Sequence, residues 1–203
     1  MTSEVFNIDC LEYMKTLPDK AFDIAIVDPP YGLDRKSTQG SGKLKNRVLN
    51  RADIAMRWDK APSRDYFDEL FRISANQIIW GGNYFDLPPC RCFVCWDKVQ
   101  PWENFSQAEF AWTSFDKPAK MFRFSNRYKK IHPTQKPVEL YAYLLNTFAK
   151  EGDKIIDTHM GSQSSRIAAY KLGFDYVGCE IDKEYFDRGC EWFNDSARQL
   201  MMY

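Results

Sequence analysis

The sequence lacks the features of a membrane protein or a metal-binding protein. It contains no apolar run long enough to span a bilayer and no charged-then-apolar leader pattern. Only two histidines accompany the six cysteines, and Cys90, Cys92 and Cys95 have no second Cys-x-x-Cys pair beside them, so zinc would need distant ligands. We therefore expect reduced thiols, no metal, no membrane contact and a cytoplasmic location.

The composition is that of one compact domain. The 203 residues are 44% hydrophobic and 16% aromatic, which is enough to bury a substantial core, and the chain has no internal repeats or low-complexity segments. We predict a single domain over residues 1–203.

The apolar run 22–27 ends abruptly in Asp28-Pro29-Pro30-Tyr31. Proline cannot donate to a sheet ladder, so the two prolines end a buried strand and hold Asp28 and Tyr31 on a stiff turn. A carboxylate, free carbonyl oxygens and a flat ring suit the planar amine of a nucleobase. Taken alone, the same tetrapeptide also fits a simple strand-ending turn.

A second turn lies in the C-terminal half of the chain. Residues 153–157 read as a strand, and Thr158-His159-Met160-Gly161-Ser162 lead into a helical pattern. Glu180 follows the next apolar run, about 20 residues after the turn, where nucleoside-binding folds place a ribose-binding acid. A single glycine disfavours a dinucleotide, whereas a nucleoside cofactor without phosphate, such as S-adenosylmethionine, fits. By itself the Gly161 turn equally fits an ordinary helix start.

Together these motifs resemble the amino-methyltransferases of DNA, which modify adenine N6 or cytosine N4, in the permuted order called the β class. The likeness rests on Asp28-Pro29-Pro30-Tyr31, on the His132-Pro133-Thr134-Gln135-Lys136-Pro137 run and on the loop 157–162, with the catalytic motif first and the cofactor loop last. It implies an S-adenosylmethionine-dependent methyltransferase (Rossmann-like) fold. That fold is a circularly permuted α/β mixed sheet with helices on both faces.

The resemblance also implies the site residues. The catalytic residues would be Asp28, Pro29, Pro30 and Tyr31, with Asp28 and the Pro29 carbonyl binding the amine and Tyr31 stacking on the base. The cofactor S-adenosyl-L-methionine would be bound by Asp9, Thr134, Lys136, Asp157, Gly161, Ser162 and Glu180, with Lys136 pairing with its carboxylate. The loop departs from the family pattern at Thr158, His159 and Gln163, and we expect Gln163 to place a side chain where the methionine tail approaches.

Charge is segregated along a chain whose net charge is zero. Residues 34–51 carry six basic side chains against one acid, and residues 117–136 carry seven with none, so the remainder is strongly acidic. Two basic segments are typical of a surface that holds phosphates. The residues predicted to bind DNA are Arg35, Lys36, Lys43, Lys45, Arg47, Arg51, Lys129 and Lys130.

Two segments receive a predicted role from their position. The basic segment at about 32–57 is long and rich in Gly, Ser and Asn, so we expect a mobile loop that closes over DNA. Residues of about 97–131 stand where the family carries target recognition. Their aromatic side chains favour a small core over a base-stacking platform.

The working hypothesis is methyl transfer to adenine N6 in DNA after base flipping, because an amine in a paired stack cannot reach a buried methyl donor. Asp rather than Ser before the two prolines favours adenine within the family. The alternatives are cytosine N4, an RNA or protein amide substrate, and a catalytically silent DNA-binding module. The sequence leaves open whether the chain acts as a monomer or a homodimer.

The periodicity predicts the elements of the sheet and its helices. Strands are expected near 4–8, 22–27, 76–80, 92–96, 108–113, 154–157 and 174–179. Helices are expected near 10–16, 64–74, 137–149, 163–172 and 183–200.

Overall fold

The computed structural model describes residues 1–33, 60–101, 106–128, 130–132 and 134–200. In these residues eight strands form one sheet: β1 Ser3–Phe6, β2 Phe22–Val27, β3 Ser74–Trp80, β4 Phe93–Asp97, β5 Ala108–Thr113, β6 Lys120–Arg123, β7 Lys154–Asp157 and β8 Asp175–Cys179. The helices are α1 Cys10–Lys15, α2 Arg64–Ile73, α3 Val138–Phe148, α4 Ser164–Leu172 and α5 Lys183–Leu200, with a short 3-10 helix at Gly82–Tyr84.

The sheet is mixed, and its order is β1-β8-β7-β2-β3-β5-β4-β6. Strand β5 alone among these eight runs against the others, because it pairs antiparallel with both β3 and β4. The remaining neighbours pair in parallel. The first residues of β5 therefore lie at the same edge of the sheet as the carboxyl ends of the other strands.

Helices cover both faces of the sheet, and the alternation along β2 shows how. Ile24 and Ile26 pack in one buried cluster with side chains of α3 and α4. Ala25 and Val27 pack in a second cluster with side chains of α1 and α2. A strand buried on both faces has no polar alternation, which is why 22–27 reads as a continuous apolar run. The predicted α/β mixed sheet with helices on both faces is confirmed.

The predicted elements are confirmed to within two residues at their ends, and one observed strand has no predicted counterpart. Strand β6 was not predicted, because it is four residues long, lies at the sheet edge and carries Lys120 and Arg123 at its two ends. Charged residues on a short edge strand protect it from pairing with another chain, and they also remove the apolar signal.

The aromatic side chains of the segment 97–131 belong largely to the core, as expected. Trp112 is buried, and Phe115 and Phe122 pack against the cluster on the α3 side. Most of the basic segment predicted as a loop at 32–57 lies outside the described residues. No helix in the described part of the chain is long and apolar enough to cross a membrane.

Candidate active site

The two predicted motifs meet at the centre of the sheet. Strands β2 and β7 are neighbours, with Ala25 opposite Ile156, so Asp28 and Asp157 follow adjacent parallel strands at one edge. The chain leads from β7 to β8 on one side and from β2 to β3 on the other. A crevice forms where the strand order diverges in this way, and open α/β sheets bind their ligands there.

Asp28 is held by two side chains at the end of β2. Tyr31 donates a hydrogen bond from its hydroxyl to Asp28 Oδ1 at 2.8 Å, and the Lys136 ammonium contacts Asp28 Oδ2. The Asp28 side chain is only 13% exposed. Burial raises the pKa of Asp28 above its ordinary value, while the Lys136 ammonium opposes that rise.

The Tyr31 ring lies on a surface made by the chain that follows β3. It stacks on Tyr84 with ring centroids 5.0 Å apart, and the edge of Phe85 meets it at 6.1 Å. Gly81 lies directly against the ring, so a Cβ at this position would overlap it, and the φ of Gly81 is +69°. Glycine is therefore required at residue 81 both by the backbone and by the tyrosine.

Lys136 is deeply buried, and its ammonium bridges two carboxylates. Besides Asp28 it lies 3.1 Å from Glu109 Oε2, and Lys98 lies 2.5 Å from Glu109 Oε1. Burial alone would lower the pKa of Lys136, but Asp28 and Glu109 raise it above its ordinary value. Within the chain the Lys136 ammonium pairs with Asp28 and Glu109, and its pairing with a cofactor carboxylate stays a prediction.

Asp157 organises the loop between β7 and α4. Its Oδ2 accepts a hydrogen bond from the Ser165 hydroxyl at 2.6 Å, and its Oδ1 accepts one from the His159 amide at 3.0 Å. The side chain is fully buried, and burial raises the pKa of Asp157 to about 7. Asp157 therefore fixes the loop conformation from within.

Glu180 joins the end of β8 to the same loop. Its Oε2 accepts from the Gly161 amide at 3.0 Å and its Oε1 accepts from the Asp182 amide at 2.9 Å. Each carboxylate oxygen can accept a further hydrogen bond. Beside Gly161 lies the His132 ring, which a Cβ at Gly161 would meet at 3.6 Å, and His132 accepts a bond from the Thr134 amide.

The side chains of the remaining residues predicted to bind the cofactor, Ser162, Thr134 and Asp9, form hydrogen bonds to neighbouring residues in the sequence. Ser162 is buried and its hydroxyl lies 3.0 Å from that of Ser164, whereas Thr134 is exposed. Asp9 caps α1, since its Oδ1 accepts from the amides of Leu11 and Glu12. The helix cap explains an acid at residue 9 without any ligand.

The altered loop residues Thr158 and His159 are tied to α2. The Thr158 hydroxyl lies 2.7 Å from the Tyr66 hydroxyl and 3.0 Å from His159 Nδ1. The His159 ring meets the Tyr66 ring edge-on, with Cys10 Sγ 3.8 Å from Nε2. Burial lowers the pKa of His159 to about 4, so the ring is neutral at pH 7.

Gln163 points away from the crevice. Its backbone is left-handed, with φ of 65°, which explains why the family places glycine here. The side-chain amide donates to the Phe186 carbonyl at 3.2 Å, and the side-chain oxygen accepts from Arg166 at 2.9 Å. The expectation that Gln163 obstructs a cofactor tail is wrong, because the side chain packs between α4 and α5 against Gly189.

Most residues predicted to bind DNA cannot be placed at the site. Arg35, Lys36, Lys43, Lys45, Arg47, Arg51 and Lys129 lie outside the described residues. Lys130 lies over the Tyr128 ring at 5.0 Å, and its ammonium donates to Asn126 Oδ1. Lys136, one of the seven basic residues of the second segment, belongs to the buried site and contributes nothing to a surface.

Sequence reasoning missed Glu109 and Lys98. The signal was present in Trp96-Asp97-Lys98 and Ala108-Glu109, charged residues at the ends of two apolar strands. The edge of the sheet where Asp28 and Asp157 lie is called the catalytic edge below. Lys98 reaches it at the end of β4, and Glu109 reaches it because β5 runs in the reversed direction. The six cysteines are free, and the described residues contain no cluster of His, Cys, Asp and Glu that could hold a metal ion.

The fold is that of the α/β methyltransferases, and the strand that leads to Asp28 comes earlier in the chain than the strand that leads to Asp157. Solved structures share this fold: the M1.HpyAVI–SAM complex has a TM-score of 0.58 at 20% identity and covers 93% of this chain and 97% of its own. The PvuII DNA methyltransferase, described as cytosine-N4-specific, has a TM-score of 0.63 at 14% identity. That match covers 98% of this chain and 93% of the PvuII chain.

The chain belongs to the N6_N4_Mtase family of DNA methylases, whose model matches residues 77–190, more than half of the sequence. The type II methyltransferase M.HinfI of Haemophilus influenzae is 25% identical over 88% of this chain and 65% of its own length. M2.DpnII of Streptococcus pneumoniae is 26% identical over 68% of this chain and 48% of its own. The chain therefore spans less than two thirds of the first relative and about half of the second.

Proposed function

We propose that this chain transfers a methyl group from S-adenosylmethionine to the exocyclic amine of a DNA base, with adenine N6 as the target. The observation that carries the proposal is the placement of Asp28 and the Gly161 loop on adjacent strands at the divergence point of the sheet. Family membership supports it, as do the methyltransferase names of the relatives.

The residues of the crevice fit this cofactor. Glu180 is fixed by two amides and keeps acceptor capacity for a ribose diol. Asp9, besides capping α1, lies near His159 of the same loop, where its carboxylate suits a cationic ligand. Asp157 would act indirectly, by holding the loop in shape. Ser162 and Thr134 would complete the binding residues. When bound, S-adenosylmethionine supplies an electrophilic methyl group on a positively charged sulfur.

Asp28 and the Pro29 carbonyl would act on the target amine. Both are hydrogen-bond acceptors, and proline beside them supplies no N–H that competes for their oxygens. Acceptors that take both amine hydrogens favour a tetrahedral, nucleophilic nitrogen, and the surplus proton leaves after transfer. Pro30 stiffens the turn that holds these groups.

Tyr31 would stack on the extruded base. In the structure its ring rests on Tyr84, and its hydroxyl occupies Asp28 Oδ1, so both oxygens of Asp28 are bonded within the chain. Each oxygen keeps one acceptor site, and losing either of these bonds would give the amine a second site on the same oxygen. Extrusion itself costs a few kcal/mol of unstacking, which the aromatic contact would offset.

The DNA would lie across the basic residues predicted from the sequence. We retain Lys129, Lys130 and the basic residues of 34–51 as phosphate contacts, and the segment of about 97–131 as the target-recognition part of one domain. Strands β4 and β6 support this, since both end at the catalytic edge and carry that segment to it.

Labelled methyl transfer to unmethylated DNA of mixed sequence, to RNA and to a glutamine peptide tests the proposal. We expect label in DNA alone and N6-methyladenine on nucleoside analysis, whereas N4-methylcytosine would correct the base.

Asp28→Ala should lower kcat by about 100-fold or more, as loss of a hydrogen-bonding group at the reacting atom does. Asp86→Ala, at a fully exposed carboxylate, is the matched control.

Calorimetry separates the enzyme from a silent DNA-binding module. We expect binding heat with S-adenosylmethionine at micromolar concentration, because Gln163 leaves the crevice clear. DNA binding without any cofactor heat or methyl transfer would contradict the enzyme and support the module.

A further inference from the structure

Four buried or partly buried charges form a chain at the catalytic edge. Asp28 follows β2, Lys136 precedes α3, Glu109 begins β5 and Lys98 follows β4, and each charge contacts the next one. Two carboxylates and two ammonium groups balance each other. Four separate parts of the sequence are thus joined at the residue proposed to bind the target amine.

Lys136 is shared between the two carboxylates and has no access to water. Its side chain is 3% exposed, and its ammonium lies 5.1 Å from the centre of the Trp80 ring. An ammonium group in such a place needs a carboxylate partner at all times, because a bare buried charge is strongly unfavourable. If Lys136 leaves Asp28, Glu109 is the carboxylate that lies within reach.

Glu109 is the second carboxylate partner of Lys136. Its Oε1 is anchored by Lys98 at 2.5 Å. Its Oε2 is fully buried and forms an ion pair with Lys136 Nζ at 3.1 Å, but the angles of this contact fall short of a good hydrogen bond. Buried acceptors are normally well bonded, so Glu109 Oε2 can hold the ammonium more closely than it does here.

We infer that Glu109, held in place by Lys98, is a positioning residue that takes over the Lys136 ammonium when the target amine binds Asp28. The inference rests on the proposed function. The exchange breaks the hydrogen bond from Lys136 Nζ to Asp28 Oδ2 and forms one from Lys136 Nζ to Glu109 Oε2. One oxygen of Asp28 is thereby released to accept from the incoming amine.

Lys136 and Glu109, which the exchange brings together, are both charged at neutral pH. Burial opposes the ionisation of Glu109, but Lys136 and Lys98 lower its pKa to about 2. The two carboxylates likewise raise the pKa of Lys136. The new hydrogen bond therefore joins two groups that are already charged, and it requires no proton transfer.

Glu109→Gln tests the inference, because it keeps the shape of the side chain and removes its charge. We expect Lys136 to remain on Asp28, so that kcat for methylation of unmethylated DNA falls about tenfold or more. The dissociation constant for S-adenosylmethionine should stay as in the wild type. Glu69→Gln, which removes the charge from a carboxylate paired with Arg72 on α2, is the control and should leave kcat unchanged.

A double-mutant cycle with Lys136→Met separates positioning from a general structural role. If Glu109 acts through Lys136, adding Glu109→Gln to Lys136→Met causes little further loss of kcat. Equal losses from Glu109→Gln in both backgrounds, or wild-type kcat in Glu109→Gln, would overturn the inference.

A structure of the wild-type protein with DNA and S-adenosylhomocysteine covers the case in which the variants fail to fold. We expect Lys136 Nζ to lie closer to Glu109 Oε2 than the present 3.1 Å and to have withdrawn beyond hydrogen-bond distance from Asp28. Lys136 still bonded to Asp28 beside a bound base would overturn the inference. A wild-type chain that transfers no methyl group contradicts the proposed function instead, so the two failures are distinguishable.

Discussion

At the scale of single residues, Gln163 shows how a departure from a family pattern is accommodated. A left-handed backbone costs a residue with a Cβ about 1–2 kcal/mol. Here the side chain offsets this cost through hydrogen bonds to Phe186, Arg166 and Cys190 between α4 and α5. Gly189 makes room for it, since a Cβ there would lie 2.8 Å from the glutamine.

Substitutions at Gln163 should therefore change stability and leave cofactor binding alone. Gln163→Ala loses the hydrogen bonds and keeps the strain, so we expect the free energy of unfolding to fall by about 2 kcal/mol. Gln163→Gly should lose about 1 kcal/mol less, because glycine relieves the backbone strain. Urea unfolding measures both. A gain of cofactor affinity in Gln163→Gly, measured by calorimetry, would contradict the placement of the side chain.

Gly81 and Gly152 allow backbone strain to be separated from a collision with Tyr31. Both have positive φ, but a Cβ at Gly152 meets nothing within 4 Å, whereas one at Gly81 overlaps the Tyr31 ring. We expect Gly152→Ala to cost about 1 kcal/mol of stability and no activity. Gly81→Ala should cost more and also lower kcat, because it displaces the tyrosine. Equal effects of the two variants on kcat would argue against a role for the Tyr31 position.

The sequence predicts the residues of the site better than their partners. Asp28 to Tyr31 and Asp157 to Ser162 could be found because prolines and a small-residue turn mark local backbone changes. The partners Glu109 and Lys98 could not, since their approach to Lys136 depends on which strands become neighbours. Pairing between distant segments leaves no local pattern in the chain.

At the scale of elements, the β7–α4 loop is anchored to α2 by Thr158 and His159. The pKa of His159 is lowered to about 4 from an ordinary value of 6.5, so the unfolded chain binds a proton more readily than the folded one. The stability that the neutral ring contributes is therefore complete above about pH 6.5 and is lost as pH falls toward 4.

His159→Phe should remove this acid sensitivity. We expect the wild type to lose stability relative to the variant between about pH 6.5 and 4, as measured by urea unfolding at several pH values. His132→Phe serves as the comparison, since the pKa of the His132 ring is also lowered by burial to about 4 but the ring lies against Tyr185 instead of Tyr66. A constant difference between wild type and His159→Phe across this range would contradict the burial of a neutral ring.

Element type could be predicted where burial is complete and not where it is partial. Strand β2 is apolar at every position except Asp23, because both faces of its buried part are covered. Strand β6 escaped prediction because its residues alternate between partly buried and exposed at the sheet edge. The antiparallel direction of β5 likewise follows from its place between β3 and β4, which periodicity does not encode.

At the scale of the whole molecule, the net charge is zero although the segments 34–51 and 117–136 are strongly basic. If the protein makes six to ten phosphate contacts, its DNA affinity should fall by roughly 1,000-fold or more between about 50 and 200 mM salt. Lys130→Gln, at one of the predicted phosphate contacts, should reduce the salt slope by about one. Lys171→Gln, at the far end of α4, should not. A salt-independent affinity would contradict the basic surface.

The direction of β5 has a consequence for how the protein can diversify. Because β4 ends and β5 begins at the catalytic edge, Lys98 and Gln107 both lie there and share a backbone hydrogen bond, and the chain leaves β6 at the same edge. Strands of the sheet hold each of these points. If the segment of about 97–131 recognises the target, exchanging the residues between Lys98 and Gln107 for those of another family member should change the DNA sequence that is read and leave the four paired charges in register.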